Sequence, residues 1–125
     1  MKKLLFCLCA VFGLFTWFFV KATQAVPVSE IRDDEIYIFV QQGCRHCMAA
    51  ENFLKDKYPN LNVQLRDISE ARHRKMFFGC GAKFGLNKLK MGTPLFCMGQ
   101  HYILGWDQMA EKQFESYVKD FLPRE

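Results

Sequence analysis

Four cysteines lie beyond residue 25 of this 125-residue chain, Cys44, Cys47, Cys80 and Cys97, and only two residues separate the first two. The run Gln41-Gln42-Gly43-Cys44-Arg45-His46-Cys47 follows a dense apolar segment, residues 35–40 (EIYIFV). It precedes a stretch in which Ala50, Phe53, Leu54 and Tyr58 share one helical face. The cysteine pair therefore straddles a strand-to-helix junction. At the first turn of a helix, unpaired backbone N–H groups and the helix dipole favour an anion. Cys44 is where a thiolate would be stabilised, and the thiolate is the nucleophilic form. Cys47, one turn on, can reach back to close a disulfide and release a partner held in a mixed disulfide. Arg45 and His46 add positive charge with no acid between the cysteines. Both would lower the pKa of Cys44, stabilise the reduced pair and make the disulfide more oxidising.

Other chemistry is open to the same spacing. A disulfide across one turn constrains almost no chain, so a purely structural role contributes little. Haem attachment needs His directly after the second cysteine, and Met48 stands there. A zinc site needs two more ligands; Cys80, Cys97, His73 and His101 are available, but none forms a second tight pair. Redox catalysis is favoured because a CxxC beside a β-α pattern is a redox signature. The alternative is a non-enzymatic metal-binding or metal-delivery domain using the CxxC and a His. The redox reading calls for no cofactor and no metal.

The elements that must position the pair are legible from periodicity. Residues 35–40 are apolar on both faces, as in a central strand covered on both sides. A helix over 44–58 follows, ended by Pro59-Asn60. Residues 62–68 alternate like a second strand, and Ser69 is placed to cap a helix running towards Phe84, with Gly79, Gly81 and Gly85 leaving its end open. Residues 94–98 read as a third strand, Gly99-Gln100 as a hairpin turn and residues 101–104 as a fourth strand. Asp107 can cap a last helix, in which Ala110, Phe114, Tyr117, Val118 and Phe121 recur at helical spacing before Pro123. The order is β-α-β-α-β-β-α.

Residues 1–25 stand apart. They begin with Lys2 and Lys3, continue uncharged over residues 4–20 and close on Lys21-Ala22-Thr23-Gln24-Ala25, the pattern of a secretory signal peptide cleaved after Ala25. The 17 uncharged residues also reach the short end of a bilayer span of roughly 17–25, so an N-terminal membrane anchor is the other reading. Either way the domain is expected to be periplasmic or otherwise extracytoplasmic, because the positive end stays inside. Residues 26–34 form a linker, and residues 35–125 the domain. Beyond residue 25 the chain has 14 basic against 13 acidic side chains, a net charge of +1, which excludes the strong basic bias of a nucleic-acid binder. At 50% hydrophobic and 15% aromatic, the chain is too apolar for intrinsic disorder. A hundred residues cannot hold a separate dimerisation domain, so a monomer is expected.

Strand–CxxC–helix, strand, helix, then Gly92-Thr93-Pro94 opening a β-hairpin and a final helix resembles the thioredoxin-fold superfamily, in a compact form similar to glutaredoxins. The resemblance covers roughly residues 35–121 and rests on Gly43-Cys44-Arg45-His46-Cys47, Gly92-Thr93-Pro94, and Gly99 followed by Gly105-Trp106-Asp107. It implies an α/β fold of glutaredoxin size, with a four-stranded mixed sheet flanked by helices. It implies a thiol–disulfide oxidoreductase in which Cys44 is the nucleophile, Cys47 the resolving thiol, and Arg45 and His46 tune the pKa of Cys44. It further implies a cis bond before Pro94, with Thr93 and Pro94 forming the platform that binds protein thiols and disulfides. A redox partner that the sequence does not identify would reset the pair. Two departures point away from glutathione: Gln41 replaces the lysine usual three positions before the first cysteine, and Leu104-Gly105-Trp106-Asp107-Gln108 lacks the full glutathione-holding pattern. The His before the second cysteine resembles the disulfide isomerases and periplasmic Dsb oxidases. Ile38 takes the position of the buried acid found in thioredoxins.

Two features stay open at this level. Residues 71–106 contain no acid but hold Arg72, Arg74, Lys75, Lys83, Lys88 and Lys90. That run is either a solvated face paired elsewhere on the domain or a basic rim selecting acidic partners or an anionic bilayer. Cys80 and Cys97 either close a loop of about 17 residues or stand as two unbonded cysteines, since bridging needs Cα atoms closer than roughly 7 Å.

Overall fold

The computed structural model describes residues 31–123. The leader over residues 1–25 and most of the linker over 26–34 lie outside the described residues. Four strands form one mixed sheet: β1 (Ile36–Val40), β2 (Val63–Asp67), β3 (Leu95–Met98) and β4 (His101–Leu104). Their spatial order is β2-β1-β3-β4, with β1 parallel to β2 and antiparallel to β3, and β3 antiparallel to β4. The two central strands are those whose residues are all apolar, and every residue of β1 and β3 is buried. The edge strands are more polar and stay half-exposed.

Strand periodicity sends alternate residues to opposite faces. Ile36, Ile38, Val40, Phe96, Met98 and Ile103 meet α1 (Arg45–Lys57) and α3 (Gln108–Tyr117). Tyr37, Phe39, Leu95 and Cys97 meet α2 (Ala71–Lys83). On the first face, Trp106 lies 5.1 Å from Phe53 and 5.4 Å from Phe96, and Phe114 lies 5.8 Å and 5.3 Å from the same two rings. This aromatic cluster seats α1 and α3 on the sheet at separations where ring pairs attract. Among the described residues no helix is long and apolar enough to cross a membrane.

Local signals place the ends. Asp107 caps α3 as expected: its Oδ1 accepts the Ala110 N–H at 2.8 Å. The last turn tightens into a 3-10 helix over Val118–Asp120. Gly99 turns the β3–β4 hairpin at φ +61°, where an L side chain is strained. The expected Ser69 cap of α2 is corrected. Ser69 instead donates its N–H to Asp67 Oδ1 at 2.9 Å, closing a turn, and Glu70 takes the N-cap position with no side-chain cap bond. The open end of α2 is settled by Gly85 (φ +67°): Leu86 N–H donates to Gly81 O at 2.8 Å and Gly85 N–H to Ala82 O at 3.3 Å. A short 3-10 helix, Lys88–Lys90, follows, its first turn closed by Asn87 Oδ1 accepting the Leu89 N–H at 3.0 Å. Strand β3 begins at Leu95, one residue past the proline.

Candidate functional site

Gly43 and Cys44 make the corner between β1 and α1. Gly43 takes φ +77°, a conformation suited to glycine, and Cys44 N–H donates to Gln41 O at 3.3 Å. Cys44 itself is the N-cap of α1, with extended backbone at φ −84° and ψ 106°. Its Sγ accepts the Cys47 N–H at 3.1 Å, filling the place a serine or aspartate oxygen takes in an ordinary cap. A sulfur held there faces the positive end of the helix, and the first turn of α1 contains no acid. The structure joins Cys44 and Cys47 in a disulfide, with Cα atoms 5.2 Å apart.

The two sulfurs differ in access. Cys44 is half-buried, whereas Cys47 is 1% exposed and packed among Ile38, Ala50 and the apolar face beneath α1. Ile38 itself is buried on β1. An incoming group therefore meets Cys44 first. Arg45 and His46 are exposed beside it and form no ion pair or hydrogen bond among the described residues.

The segment before β3 supplies the other wall. Thr93–Pro94 is cis, as the resemblance implies. Thr93 Oγ1 donates to Cys44 Sγ at 3.4 Å, and Thr93 O lies 3.6 Å from the same sulfur. Pro94 is fully buried, and its carbonyl accepts the Gly105 N–H at 2.9 Å, tying this segment to the loop before α3. The resemblance implies Thr93 as part of a substrate platform; its hydroxyl contact with Cys44 is an addition, legible only as a donor-bearing side chain at that position.

The remaining residues singled out by sequence lie elsewhere. Cys80 and Cys97 form a second disulfide, with Cα atoms 6.3 Å apart and both residues 0% exposed. It joins α2 to β3 on the sheet face opposite α1, so it is not part of the Cys44 site. His73 Nδ1 lies 2.9 Å from Asp67 O, and His101 stacks on Tyr117 with ring centroids 4.1 Å apart. Asp67 is held below the usual carboxylate range chiefly by the Ser69 N–H. Among the described residues no group of three or more His, Cys, Asp or Glu side chains could hold a metal ion.

The sequence matches no protein-family model and no curated protein. Among solved structures, the chain is similar to a mutant of a thioredoxin-like protein, with a TM-score of 0.51 at 16% identity over 67% of this chain and 99% of that one. A glutaredoxin from Archaeoglobus fulgidus aligns with a TM-score of 0.49 at 20% identity, over 65% of this chain and 83% of that one. The fold is thioredoxin-like, of the mixed α/β class, and it carries a CxxC pair at the start of its first helix.

Proposed function

We propose that the protein is an exported thiol–disulfide oxidoreductase working through Cys44 and Cys47. The observation that carries this reading is the asymmetry of the pair: Cys44 is only half-buried and its Sγ accepts a helix N-terminal N–H, while Cys47 is buried one turn behind it. In the reduced enzyme the Cys44 thiolate attacks one sulfur of a substrate disulfide. A Cys44–substrate disulfide forms and the other substrate sulfur leaves as a thiolate. Cys47, deprotonated, then attacks Cys44 Sγ; the Cys44–Cys47 bond forms and the second substrate thiolate leaves and takes up a proton. Two electrons pass from the pair to the substrate, and the reverse sequence oxidises a dithiol. The direction in the cell is set by the redox partner that resets the pair.

Arg45 and His46, which follow the attacking cysteine in the chain, would tune its reactivity. Thr93 would support the thiolate with its hydroxyl and offer its carbonyl to an extended substrate backbone. With Ile38 where thioredoxins place a buried acid, and no buried acid among the described residues, proton relay from Cys47 must run through water. Export rests on the leader pattern over residues 1–25, and a mature N-terminus mapped near Val26 on an extracytoplasmic protein would support it. The chemistry is tested by insulin reduction and peptide oxidation, with Cys44→Ser as control. Activity that survives Cys44→Ser would refute the mechanism. A potential of the pair between about −270 and −120 mV places it between a reductant and a strong oxidant.

A further inference from the structure

The acid-free run over residues 71–106 is divided by the fold into parts with different duties. Lys83 is consumed at the far end of the sheet, where its Nζ contacts Asp33 Oδ1 and donates to Gly99 O at 2.6 Å. Arg72, Arg74 and Lys75 begin α2. Lys88 and Lys90 occupy the 3-10 helix on the return from α2 to Thr93, and between them Leu89 is 94% exposed, the most exposed large apolar side chain of the described residues. A leucine that packs against nothing in its own domain is a poor contributor to folding, and its two neighbours repel each other.

This knuckle is nonetheless a built feature. Asn87 caps its first turn, Lys90 N–H donates to Asn87 O at 2.9 Å, and Met91 tucks its thioether against the Cβ-free surface of Gly81 in α2. Lys88 Nζ rests 5.6 Å from the centre of the Phe78 ring, and neither lysine has an acidic partner among the described residues. Leu89 precedes Thr93 by four residues, so their Cα atoms are at most about 14 Å apart. Thr93 touches Cys44 Sγ. An extended peptide covers a span of that size in about four residues, so one that runs from Cys44 along this segment comes within reach of the knuckle. Arg45 and His46 follow Cys44 directly in the chain and are exposed. Two acids that close β2 and precede α2 are engaged: Asp67 with the Ser69 N–H, and Glu70 3.5 Å from His73.

We infer that Lys88-Leu89-Lys90 is a substrate-selecting surface that favours polypeptides whose reacting cysteine is flanked at three to five residues by acidic side chains and an apolar one. This rests on the redox reading above. A polypeptide rather than a lipid surface is the fitting occupant because the knuckle shares one short segment with Thr93.

The test uses the full chain, reduced, with two peptide disulfides identical except for Glu or Lys at the flanking positions. Each rate is divided by the same peptide's rate with dithiothreitol, which removes intrinsic differences between leaving thiols. The acidic peptide should react about tenfold faster at low ionic strength, and the ratio should fall steeply with added salt. K88E/K90E should abolish or invert the ratio, while K88R/K90R keeps it. L89S should slow both peptides about fivefold without changing their ratio. A ratio of one in the native protein, or one untouched by K88E/K90E, would overturn the inference. So would equal peptide rates combined with a K88E/K90E loss of preference for phosphatidylglycerol over phosphatidylcholine vesicles, which would assign the knuckle to a lipid surface. Reaction with 2-hydroxyethyl disulfide separates the two proposals. If the native protein exchanges with it but ignores peptide charge, only the selectivity fails; if Cys44 does not exchange at all, the redox reading fails and the selectivity with it.

Discussion

Replacing Cys80 and Cys97 together by alanine removes the cross-link between α2 and β3. The bond closes a segment with a sequence separation of 17. For a loop of that length the chain-entropy model gives a stabilisation of about 3 kcal/mol, because the unfolded chain loses conformations that the folded chain never had. A domain near 100 residues has roughly 5–15 kcal/mol in total, so the bond supplies a large fraction. Near the transition this corresponds to a Tm lower by about 12–24 °C. The closed segment contains the end of α2, the Lys88–Lys90 turn and Thr93, so the loss should also loosen the wall beside Cys44. The assay is thermal and urea unfolding in a Cys44→Ser, Cys47→Ser background, where no other described disulfide competes. Comparing the oxidised parent with the same protein refolded reduced isolates the cross-link from the small cavities that alanine leaves at two fully buried sites. Thiol counting on the denatured, air-oxidised background protein should find neither Cys80 nor Cys97 free. Finding both free, or a stability difference below about 1 kcal/mol, would refute the reasoning.

Three further outcomes follow from single contacts. Alkylation of reduced protein across pH should show Cys44 titrating well below the roughly 8.5 of free cysteine, with Cys47 slow to react; an unshifted Cys44 would remove the basis for its activation. Thr93→Val deletes the hydroxyl that donates to Cys44 Sγ and should raise the midpoint of that titration by about one unit, since a hydrogen bond to a charged group contributes on the order of 1.5 kcal/mol. An unchanged midpoint would show that the hydroxyl does not support the thiolate. Asp107→Ala removes the side-chain cap of α3 and should lower stability by about 1 kcal/mol in urea unfolding, with little effect on Cys44 alkylation.

The elements whose signals are local were readable from the chain. Residues 36–40 are apolar on both faces, as suits a covered strand, and they form one of the two central strands of the sheet. Gly99-Gln100 stands as a turn signal between two strand-like runs, and Asp107 is a capping residue three positions before Ala110, the first of the apolar helical repeat. The placement of Cys44 at a helix start followed from the same kind of evidence, since strand, glycine break and helix are adjacent in sequence. Ser69 shows the limit even of local reading: a serine can cap a helix or close a turn with the preceding Asp67, and the exit path of β2 selected the turn.

Contacts between distant segments were decided by the tertiary structure alone. Whether Cys80 and Cys97 pair depends on α2 lying over the face of β3 that Cys97 presents, a distance that no composition or spacing encodes. The Thr93 hydroxyl reaches Cys44 across 49 positions because β1 and β3 are neighbours in the sheet. The basic run separates into an engaged Lys83 and a Lys88–Lys90 turn with no acidic partner among the described residues only once α2 and its glycine cap return the chain towards Thr93. Periodicity specifies which face of each element is apolar; packing those faces together is what chooses their neighbours.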